Sequence, residues 1–318
     1  MDQVISAENL TKIYPGKVTL YNFSMFIDAG EVVGLLGPNG AGKSTFIRIL
    51  AGMESSDSGK LLLFGENPSK KNLRLIGVAP QDNAIYVLLT CMENLLYFAS
   101  LYGISGKKAI EKAEKLLLDL GLSDKKHVQA GFLSGGMKRR LNLACALMHD
   151  PRIVILDEPT TGLDPTNRKI MWDMVMKLVR ENGVTLLLTT HYMEEAEALC
   201  RKVVFINSGQ LVAEGSPESL KKMVGKEIAK LTSVPGEYAG LEPLLKKIKG
   251  VESVTITKYG IVIESDEISS KVAEITRIFG KHDERIIEFS ISKPSLEDVF
   301  LKLTGSELKE AVKLGIKK

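Results

Sequence analysis

Short runs of consecutive apolar residues alternate along this chain with segments in which apolar residues recur every three or four positions. The apolar runs lie at 32–37 (VVGLLG), 152–158 (RIVILDE), 184–190 (VTLLLTT) and 202–209 (KVVFINSG). Such runs are typical of strands that are buried on both faces of a mostly parallel sheet. Between Gln81 and Pro151 the helical period dominates, as in CMENLLYFASLYG and KKAIEKAEKLLLDLGL. The pattern predicts an α/β core with a helical insertion at about 82–150.

The pattern changes after about residue 225. KEIAKLTSV and RIIEFSISKP are typical of strands, VESVTITKYGIVIESD indicates a hairpin around Tyr259–Gly260, and YAGLEPLLKKIKG and SSKVAEITRIFGK have helical spacing. The order β-α-β-β-α-β favours a small ferredoxin-like α+β domain. It closes with SLEDVFLKLTG, in which Ser295 and Asp298 have capping-box spacing. We therefore expect one domain at 1–225 and an accessory domain at 226–318, structural or dimerising in role.

The sequence GPNGAGKST follows the first apolar run directly and fits the phosphate-loop pattern G-x-x-x-x-G-K-[ST]. Glycine lets the backbone wrap closely around an anion, and the unpaired amides at the start of the next helix attract phosphate oxygens. Lys43 is expected to reach the β- and γ-phosphates, and the Ser44 hydroxyl to hold Mg²⁺. The nucleotide-binding residues predicted here are Gly37, Pro38, Asn39, Gly40, Ala41, Gly42, Lys43, Ser44 and Thr45.

Two carboxylates follow the apolar run IVIL. Asp157 and Glu158 are costly at the end of a buried strand unless charge is needed there. Active sites of open α/β sheets lie at the carboxyl ends of the strands. We therefore expect Asp157 to hold Mg²⁺, usually through water, and Glu158 to polarise the attacking water as a general base.

A second glycine-rich segment, GFLSGGMKRRLNLACALMHDP, starts a helix at Ser134. Such a start also suits an anion. One phosphate chain does not need two such cradles from the same side. Together, LSGGM, the phosphate loop and LDEPTTGLDP resemble the ATP-binding subunit of an ABC transporter, over roughly residues 4–225 and in the expected order. That resemblance implies a P-loop NTPase core with an antiparallel β subdomain.

The resemblance also implies roles for four further residues. Tyr14 matches the aromatic that stacks on adenine, although it could be a core or turn tyrosine. Gln81 matches the glutamine that contacts Mg²⁺ and the attacking water and senses the membrane partner. Asp164 matches the loop that crosses the dimer interface, although GLDP is also a good turn. His191 ends a strand where it could contact the γ-phosphate.

The resemblance implies that one chain holds only half of each ATP site. Ser134, Gly135 and Gly136 are expected to reach the γ-phosphate bound by another copy, so that two chains sandwich two ATP molecules. A homodimer is expected, with a heterodimer as the alternative. Closing and opening would drive permease subunits, which places the chain in the cytoplasm, on the cytoplasmic face of the membrane. The C-terminal extension resembles that of subunits serving exporters of drugs, lipids, polysaccharides or sodium ions.

Composition excludes some functions. The formal net charge is only +3, which argues against nucleic acid as the main partner. The three cysteines show no metal-ligand spacing and indicate a reducing compartment. A secretory signal pattern and an apolar run of 18 or more residues are both missing, so we expect a soluble chain.

Two other functions have to be weighed. One is a soluble ABC-type ATPase with a non-transport role, on DNA or on ribosomes. Members of that kind carry long coiled coils between the nucleotide motifs or two ATPase units in one chain, whereas this sequence has one unit. The other is a regulatory protein that binds ATP without turnover, and the intact Glu158 and His191 argue against it.

Overall fold

The computed structural model describes residues 3–223, 225–257 and 260–304. The chain forms two compact units, of which the first ends at Pro217 and the second begins at Glu218. The sequence placed the boundary after residue 225. The break between the units therefore comes at the start of a short helix and not after it.

The elements are numbered in chain order. The strands are β1 (Gln3–Tyr14), β2 (Lys17–Asp28), β3 (Val32–Leu36), β4 (Ser58–Leu63), β5 (Ile76–Ala79), β6 (Ile153–Asp157), β7 (Thr185–Thr190), β8 (Lys202–Asn207), β9 (Gln210–Gly215), β10 (Glu227–Val234), β11 (Val251–Thr257), β12 (Gly260–Ser265) and β13 (Arg285–Ser292). The helices are α1 (Lys43–Leu50), α2 (Lys70–Leu73), α3 (Cys91–Leu101), α4 (Gly106–Asp119), α5 (Gly135–Leu147), α6 (Pro165–Asn182), α7 (Met193–Leu199), α8 (Pro217–Lys222), α9 (Glu242–Leu245), α10 (Val272–Lys281) and α11 (Leu296–Thr304). Short 3-10 turns lie at Ser123–Lys125, Ala130–Phe132, Tyr238–Gly240 and Ser269–Lys271.

The central sheet of the first unit has the strand order β5-β6-β7-β3-β8-β9. Its strands run parallel except for β9, which pairs antiparallel with β8. Every residue of β3, β6 and β7 is buried, as their apolar runs predicted. The carboxyl ends of these three strands meet at one edge of the sheet, where ligands bind in folds of this kind.

A smaller antiparallel sheet, in the order β2-β1-β4, packs against the central one through a shared core. Phe23 of β2 contacts Phe46 of α1 edge to face, with 5.0 Å between the ring centroids. The Tyr21 amide also donates to the carbonyl of Gly209, at a distance of 2.9 Å. The Gly209 amide in turn donates to the Ala41 carbonyl at 2.8 Å, so the sheet lies beside the loop that precedes α1.

The segment from α3 to α5 is helical, as the 3.6-residue period predicted. A capping box starts α3, since Thr90 accepts from the Glu93 amide and Glu93 accepts from the Thr90 amide. The fully buried Asn94 accepts from the Tyr86 amide at 2.8 Å. These bonds hold the chain of residues 86–90 in an extended turn in front of α3.

All three cysteines, Cys91, Cys145 and Cys200, are buried thiols that form no disulfide. Burial raises the pKa of each thiol. A buried thiol with a raised pKa is protonated at neutral pH and reacts slowly with oxidants and alkylating reagents.

The second unit is an antiparallel sheet in the order β11-β12-β10-β13, which is the strand order of a ferredoxin-like domain. Ile275 and Phe279 of α10 pack into its core with Leu231 and Ile263. The predicted capping box is confirmed, since the Asp298 amide donates to Ser295 Oγ at 3.1 Å and the Ser295 amide donates to Asp298 Oδ2 at 2.8 Å.

Two predictions for the second unit have different outcomes. A helix over YAGLEPLLKKIKG is wrong in length, because this segment forms only a 3-10 turn and the four-residue α9. Gly240 and Pro243 lie in this stretch, and both disfavour a helix interior. The hairpin predicted around Tyr259–Gly260 joins β11 to β12, but its tip at 258–259 lies outside the described residues.

Candidate functional site

The predicted phosphate loop joins β3 to α1 at the ligand-binding edge of the central sheet. Gly40 and Gly42 have φ values of +82° and +112°, which side-chain-bearing residues rarely adopt. A Cβ on Gly42 would also lie 2.5 Å from the Thr19 carbonyl oxygen, so a larger residue cannot fit between the loop and β2. No side chain caps the start of α1, which leaves its first amides available to an anion.

Lys43 begins α1 and is only 5% exposed. Its Nζ donates to the carbonyls of Gly37, at 2.6 Å, and Pro38, at 3.2 Å, and lies 3.7 Å from Glu158 Oε1. Burial lowers the pKa of Lys43, while the carboxylates of Glu158 and Asp157 oppose that shift. The ammonium group is therefore held inside the loop, with negative charge on one side.

Asp157 is the last residue of β6, and a neighbouring strand holds it in place. The Thr189 hydroxyl of β7 donates to Asp157 Oδ1 at 2.5 Å. Burial raises the pKa of Asp157, and the Thr189 hydrogen bond opposes this shift. Thr189 engages Oδ1, and Oδ2 is the oxygen that this hydroxyl does not engage.

Glu158 is the point at which four separate chain segments meet. Gln81 Nε2 donates to its Oε2 at 3.4 Å, and the Thr161 hydroxyl donates to the same oxygen at 3.1 Å. His191 Nδ1 lies 3.3 Å from Oε1, and Lys43 approaches that oxygen from the phosphate loop. Burial raises the pKa of Glu158, but His191, Lys43 and Thr161 outweigh it, so the net shift is downward. The carboxylate is thus kept ionised.

The backbone of Glu158 is also unusual. Its φ of +48° lies in the left-handed region, which is uncommon for a residue with a side chain. The Glu158 amide donates both to the Thr189 carbonyl, at 3.0 Å, and to the Thr189 hydroxyl, at 3.1 Å. Residues at active sites often hold such strained conformations.

Three of the predicted site residues lie in other contacts. Tyr14, at the end of β1, donates its hydroxyl to Glu54, and Lys12 Nζ lies 5.6 Å from the centre of its ring. Asp164 is the N-cap of α6 and accepts from the Asn167 amide at 3.0 Å. Ser134 caps α5 by accepting from the Met137 amide at 3.3 Å. Among the described residues, no hydrogen bond joins any of these three to the Lys43–Glu158 pair.

The sequence did not reveal two residues that organise the site. Thr189 ties β7 to the Asp157 carboxylate and to the backbone amide of Glu158. Arg139, on α5, is 9% exposed and donates to the carbonyls of Pro80, at 3.2 Å, and Gln81. Arg139 thereby fastens the Gln81 loop to the helix that Ser134 begins. The helical period places Arg139 on the face opposite Met137 and Leu141, so the sequence carried no signal for its burial.

A strand–loop–helix phosphate cradle, with two carboxylates at the end of a neighbouring parallel strand, defines a P-loop NTPase. Comparison with known proteins identifies the families to which the two parts of the chain are similar. Residues 20–161 match the family described as ABC transporter. Residues 215–304 match the family described as ATP-binding protein DrrA1-3-like, C-terminal domain.

Relatives match nearly the whole chain. The linearmycin resistance ATP-binding protein LnrL of Bacillus subtilis is 34% identical over 316 residues, covering 96% of this chain and 100% of LnrL. The Nod factor export ATP-binding protein I of Sinorhizobium fredii is 39% identical over 323 residues, covering 97% of this chain and 88% of the relative.

Two solved structures each match about two thirds of this chain. CbiO1 from Clostridium perfringens, described as part of the ABC transporter complex cbiONQ, has a TM-score of 0.64 and 26% identity, covering 69% of this chain and 91% of cbiO1. An ATP-binding cassette of an ABC transporter in its ADP conformation has a TM-score of 0.63 and 26% identity, covering 69% of this chain and 93% of the cassette.

This chain therefore belongs to the ATP-binding subunits of ABC transporters, in the branch that carries a DrrA-like C-terminal domain. It binds ATP, and its ATPase activity is coupled to transport; the expectation of an ATP-powered exporter subunit is confirmed. Subunits of this family work with transmembrane permeases. Within the described residues, no helix is long and apolar enough to cross a membrane.

Proposed function

We propose that Glu158 is the general base for ATP hydrolysis and that Lys43, His191 and Gln81 position the reacting groups around it. The convergence of these three side chains on one buried carboxylate carries the proposal. Lys43 reaches the β- and γ-phosphates from inside the loop. Glu158, kept ionised by its neighbours, accepts a proton from the attacking water, and His191 and Gln81 fix the water and the γ-phosphate.

Ser44 and Asp157 fit a Mg²⁺ ion that is bound together with ATP. The Ser44 hydroxyl is exposed in the first turn of α1, and Asp157 has one carboxylate oxygen that Thr189 does not engage. Among the described residues, no group of three or more His, Cys, Asp or Glu side chains could enclose a metal. Two protein oxygens plus phosphates and water suit Mg²⁺. The ion would neutralise charge on the phosphates, and Gln81 is a further ligand in reach of the same edge.

We further propose that two copies share two ATP sites, each completed by Ser134, Gly135 and Gly136 of the other copy. Ser134 is exposed, and a Cβ added to Gly135 would meet no atom within 4 Å, so this helix start is open to a ligand. Tyr14 and Asp164 belong to the same scheme, as the adenine-stacking ring and a residue of the dimer interface. ATP would close the pair and hydrolysis would open it.

A mixed dimer tests the shared site. Ser134→Arg alone should block both sites of a homodimer, and so should Lys43→Ala. In a dimer of one Ser134→Arg chain and one Lys43→Ala chain, one site carries both lesions and the other carries neither. The intact site should hold one ATP per dimer and restore up to about half of the turnover if the sites act independently. Occupancy and ATP-dependent dimerisation report binding even where turnover is cooperative. Two vacant sites in the mixed dimer would exclude sharing.

The permease would dock on an exposed apolar surface of the helical insertion. Its members are Tyr86 (49% exposed), Val87 (52%), Leu88 (79%) and Phe132 (82%). The Gly131 amide donates to the Val87 carbonyl at 2.8 Å, which joins the two segments in one patch. A short permease helix would lay its apolar face here and hold the subunit at the cytoplasmic face of the membrane.

Two single variants, each replacing an exposed leucine by glutamate, test the docking surface. Leu88→Glu should abolish transport and leave the ATPase activity of the isolated chain intact. Leu118→Glu is the control, because Leu118 is also exposed (69%) but lies on α4, outside the patch. Equal transport by the two variants would place the docking site elsewhere.

The cargo is proposed at the level of class. The names of two relatives refer to linearmycin resistance and to Nod factor export. We propose export of a drug, lipid, polysaccharide or ion by the permease that this subunit serves. Export from vesicles that contain the assembled transporter and candidates of these classes is the test, and ATP-dependent movement of none of them would exclude the proposal.

A further inference from the structure

Glu195 of α7 is a carboxylic acid with no exposed surface, and the mechanism above does not use it. Its Oε1 accepts from the Thr160 hydroxyl at 2.9 Å and from Trp172 Nε1 at 3.0 Å. In the described chain, Oε2 has no aligned hydrogen-bond partner, although the Thr190 hydroxyl lies close to the carboxyl. Burial raises the pKa of Glu195, against the effect of these hydrogen bonds.

The two donors to Glu195 come from different parts of the chain. Trp172 is on α6. Thr160 is fully buried in the loop between β6 and α6, two residues after Glu158. Its carbonyl accepts from the Leu163 amide at 3.1 Å, and the next residue, Thr161, donates its hydroxyl to Glu158. The Glu195–Thr160 bond therefore holds the middle of the loop that begins at the general base.

The same helix also follows the other catalytic candidate. His191 lies two residues before α7 and four residues before Glu195, and its Nδ1 is 3.3 Å from Glu158 Oε1. The strand ends are joined separately, through Thr189. Glu158 and His191 are thus linked by a closed path: from Glu158 along the loop to Thr160, across to Glu195, and back along the chain to His191.

Packing alone does not call for an acid at this place. Replacing both partners of a buried polar contact by apolar residues of similar volume is often neutral or stabilising, whereas a buried acid with one unpaired oxygen is costly. A leucine or methionine would fill the same space between α6 and α7. The acid provides one feature that an apolar residue lacks, a fixed bond to the loop.

We propose that Glu195 is a positioning residue, which holds Thr160 and thereby fixes the distance between Glu158 and His191 during ATP hydrolysis. The inference rests on the roles proposed above for Glu158 and His191. Glu195 touches neither ATP nor the attacking water in this scheme. Its loss should therefore lower kcat and leave ATP affinity nearly unchanged.

Thr160→Val is the decisive variant, because it removes the hydroxyl and keeps the volume. Thr185→Val is the matched control: Thr185 is 2% exposed, it accepts from the Gly30 amide at 2.9 Å, and it lies at the opposite end of β7. Thr160→Ser restores the hydroxyl. All are measured in the full chain assembled with its permease. Emission from Trp172, the one tryptophan of the sequence, checks that the Glu195 pocket is folded.

We expect Thr160→Val to lower kcat about 10- to 100-fold, the scale of a small misplacement of catalytic groups, with KM for ATP within about 2-fold. Thr160→Ser should recover most of the lost rate, and Thr185→Val should stay within about 2-fold of the parent. Equal kcat values for Thr160→Val and Thr185→Val would overturn the inference, as would a loss confined to KM.

Glu158→Gln distinguishes a failure of the proposed catalytic site from a failure of the positioning role of Glu195. If Glu158→Gln turns over ATP normally, the proposed function of the site is wrong, whatever Thr160→Val does. If Glu158→Gln is inactive while Thr160→Val matches its control, only the positioning role of Glu195 fails. A Glu195→Ala/Thr160→Val double variant should lose no more activity than Glu195→Ala alone. The reason is that both substitutions remove the same hydrogen bond, from the Thr160 hydroxyl to Glu195.

Discussion

Glu158 in the first unit and Glu284 in the second are both covered carboxylates that remain ionised, but they are covered in different ways. Glu158 is 6% exposed and Glu284 is 4% exposed. In both, burial raises the pKa and neighbouring groups lower it by more, so the net shift is downward. Exposure and pKa therefore do not distinguish the two residues.

Their partners do distinguish them. Glu284 accepts from the Ser233 hydroxyl at 2.6 Å and from the amides of Gly236, at 2.9 Å, and Glu237, at 2.5 Å. All three donors belong to one turn, and most are backbone groups. Glu158 instead faces titratable or mobile side chains from four segments, including Lys43 and His191.

The two sets of partners give the two carboxylates different freedom to bind a ligand. Backbone donors cannot leave, so Glu284 is locked into a local structural bond set. Side-chain donors can turn toward a ligand, so Glu158 can exchange its partners for water and phosphate. If Glu158 has the proposed role, the chemical nature of the partners, more than burial, distinguishes a catalytic carboxylate from a structural one.

The largest expected contrast comes from the same substitution at both sites. Glu158→Gln should lower ATP hydrolysis by at least about 10²-fold, the scale for losing a general base, while ATP still binds. Glu284→Gln should leave hydrolysis within about 2-fold. Steady-state turnover and nucleotide binding check both. Normal turnover in Glu158→Gln would contradict the catalytic role of Glu158. Inactivity of a folded Glu284→Gln chain would contradict the purely structural role of Glu284.

A second contrast concerns stability. Glu284→Ala leaves the Gly236 and Glu237 amides without their acceptor, so the free energy of unfolding of the second unit should fall by about 1–3 kcal/mol. Exposed Glu288, on the strand β13 that follows Glu284, is the control, and Glu288→Ala should change the free energy of unfolding by less than about 0.5 kcal/mol. Chemical denaturation and amide hydrogen exchange at residues 236–237 measure the effect. Unchanged exchange there would show that the turn does not depend on Glu284.

The smallest expected effect is the pH dependence of the free energy of unfolding of the second unit. Because the pKa of Glu284 is lowered in the folded state, its carboxylate stabilises the fold above the unfolded value of about 4.5. This contribution should disappear as the pH falls through the lower folded value. The stability difference between the parent and Glu284→Gln should therefore shrink as the pH falls from 6 through the unfolded value and below it. A difference that grows on acidification would contradict the assigned direction.

The sequence predicted the elements whose signals are local. Fewer than ten consecutive residues suffice to identify the phosphate loop, each buried strand and the Asp157–Glu158 pair. Strand burial and glycine-dependent turns follow from local chemistry, so these elements could be predicted. The strand order of the second unit also agreed with its β-α-β-β-α-β pattern. Tyr14, Asp164 and the Ser134 segment remain predictions in their nucleotide-related roles, since their counterpart would be a ligand or a second chain.

The remainder could not be predicted because it depends on pairs that are far apart in the chain. Thr189 bonds Asp157 across 32 positions, Arg139 bonds Gln81 across 58, and Glu195 bonds Thr160 across 35. Nothing in TTHYMEEAE shows which glutamate turns inward. Exposed Glu194 and fully buried Glu195 are neighbours of identical chemistry, and only the packing of α7 separates them.

The burial of all three native thiols makes this subunit suitable for distance measurements with attached probes. Reagents that modify cysteine should pass over Cys91, Cys145 and Cys200 in the folded chain, because each is covered and protonated. One cysteine introduced at an exposed position outside the proposed ATP sites, such as Leu118, could then carry a spin label or a fluorophore without removal of the native thiols. The approach of two such labels in an ATP-bound pair would be read directly, as a distance that shortens with nucleotide and lengthens with turnover.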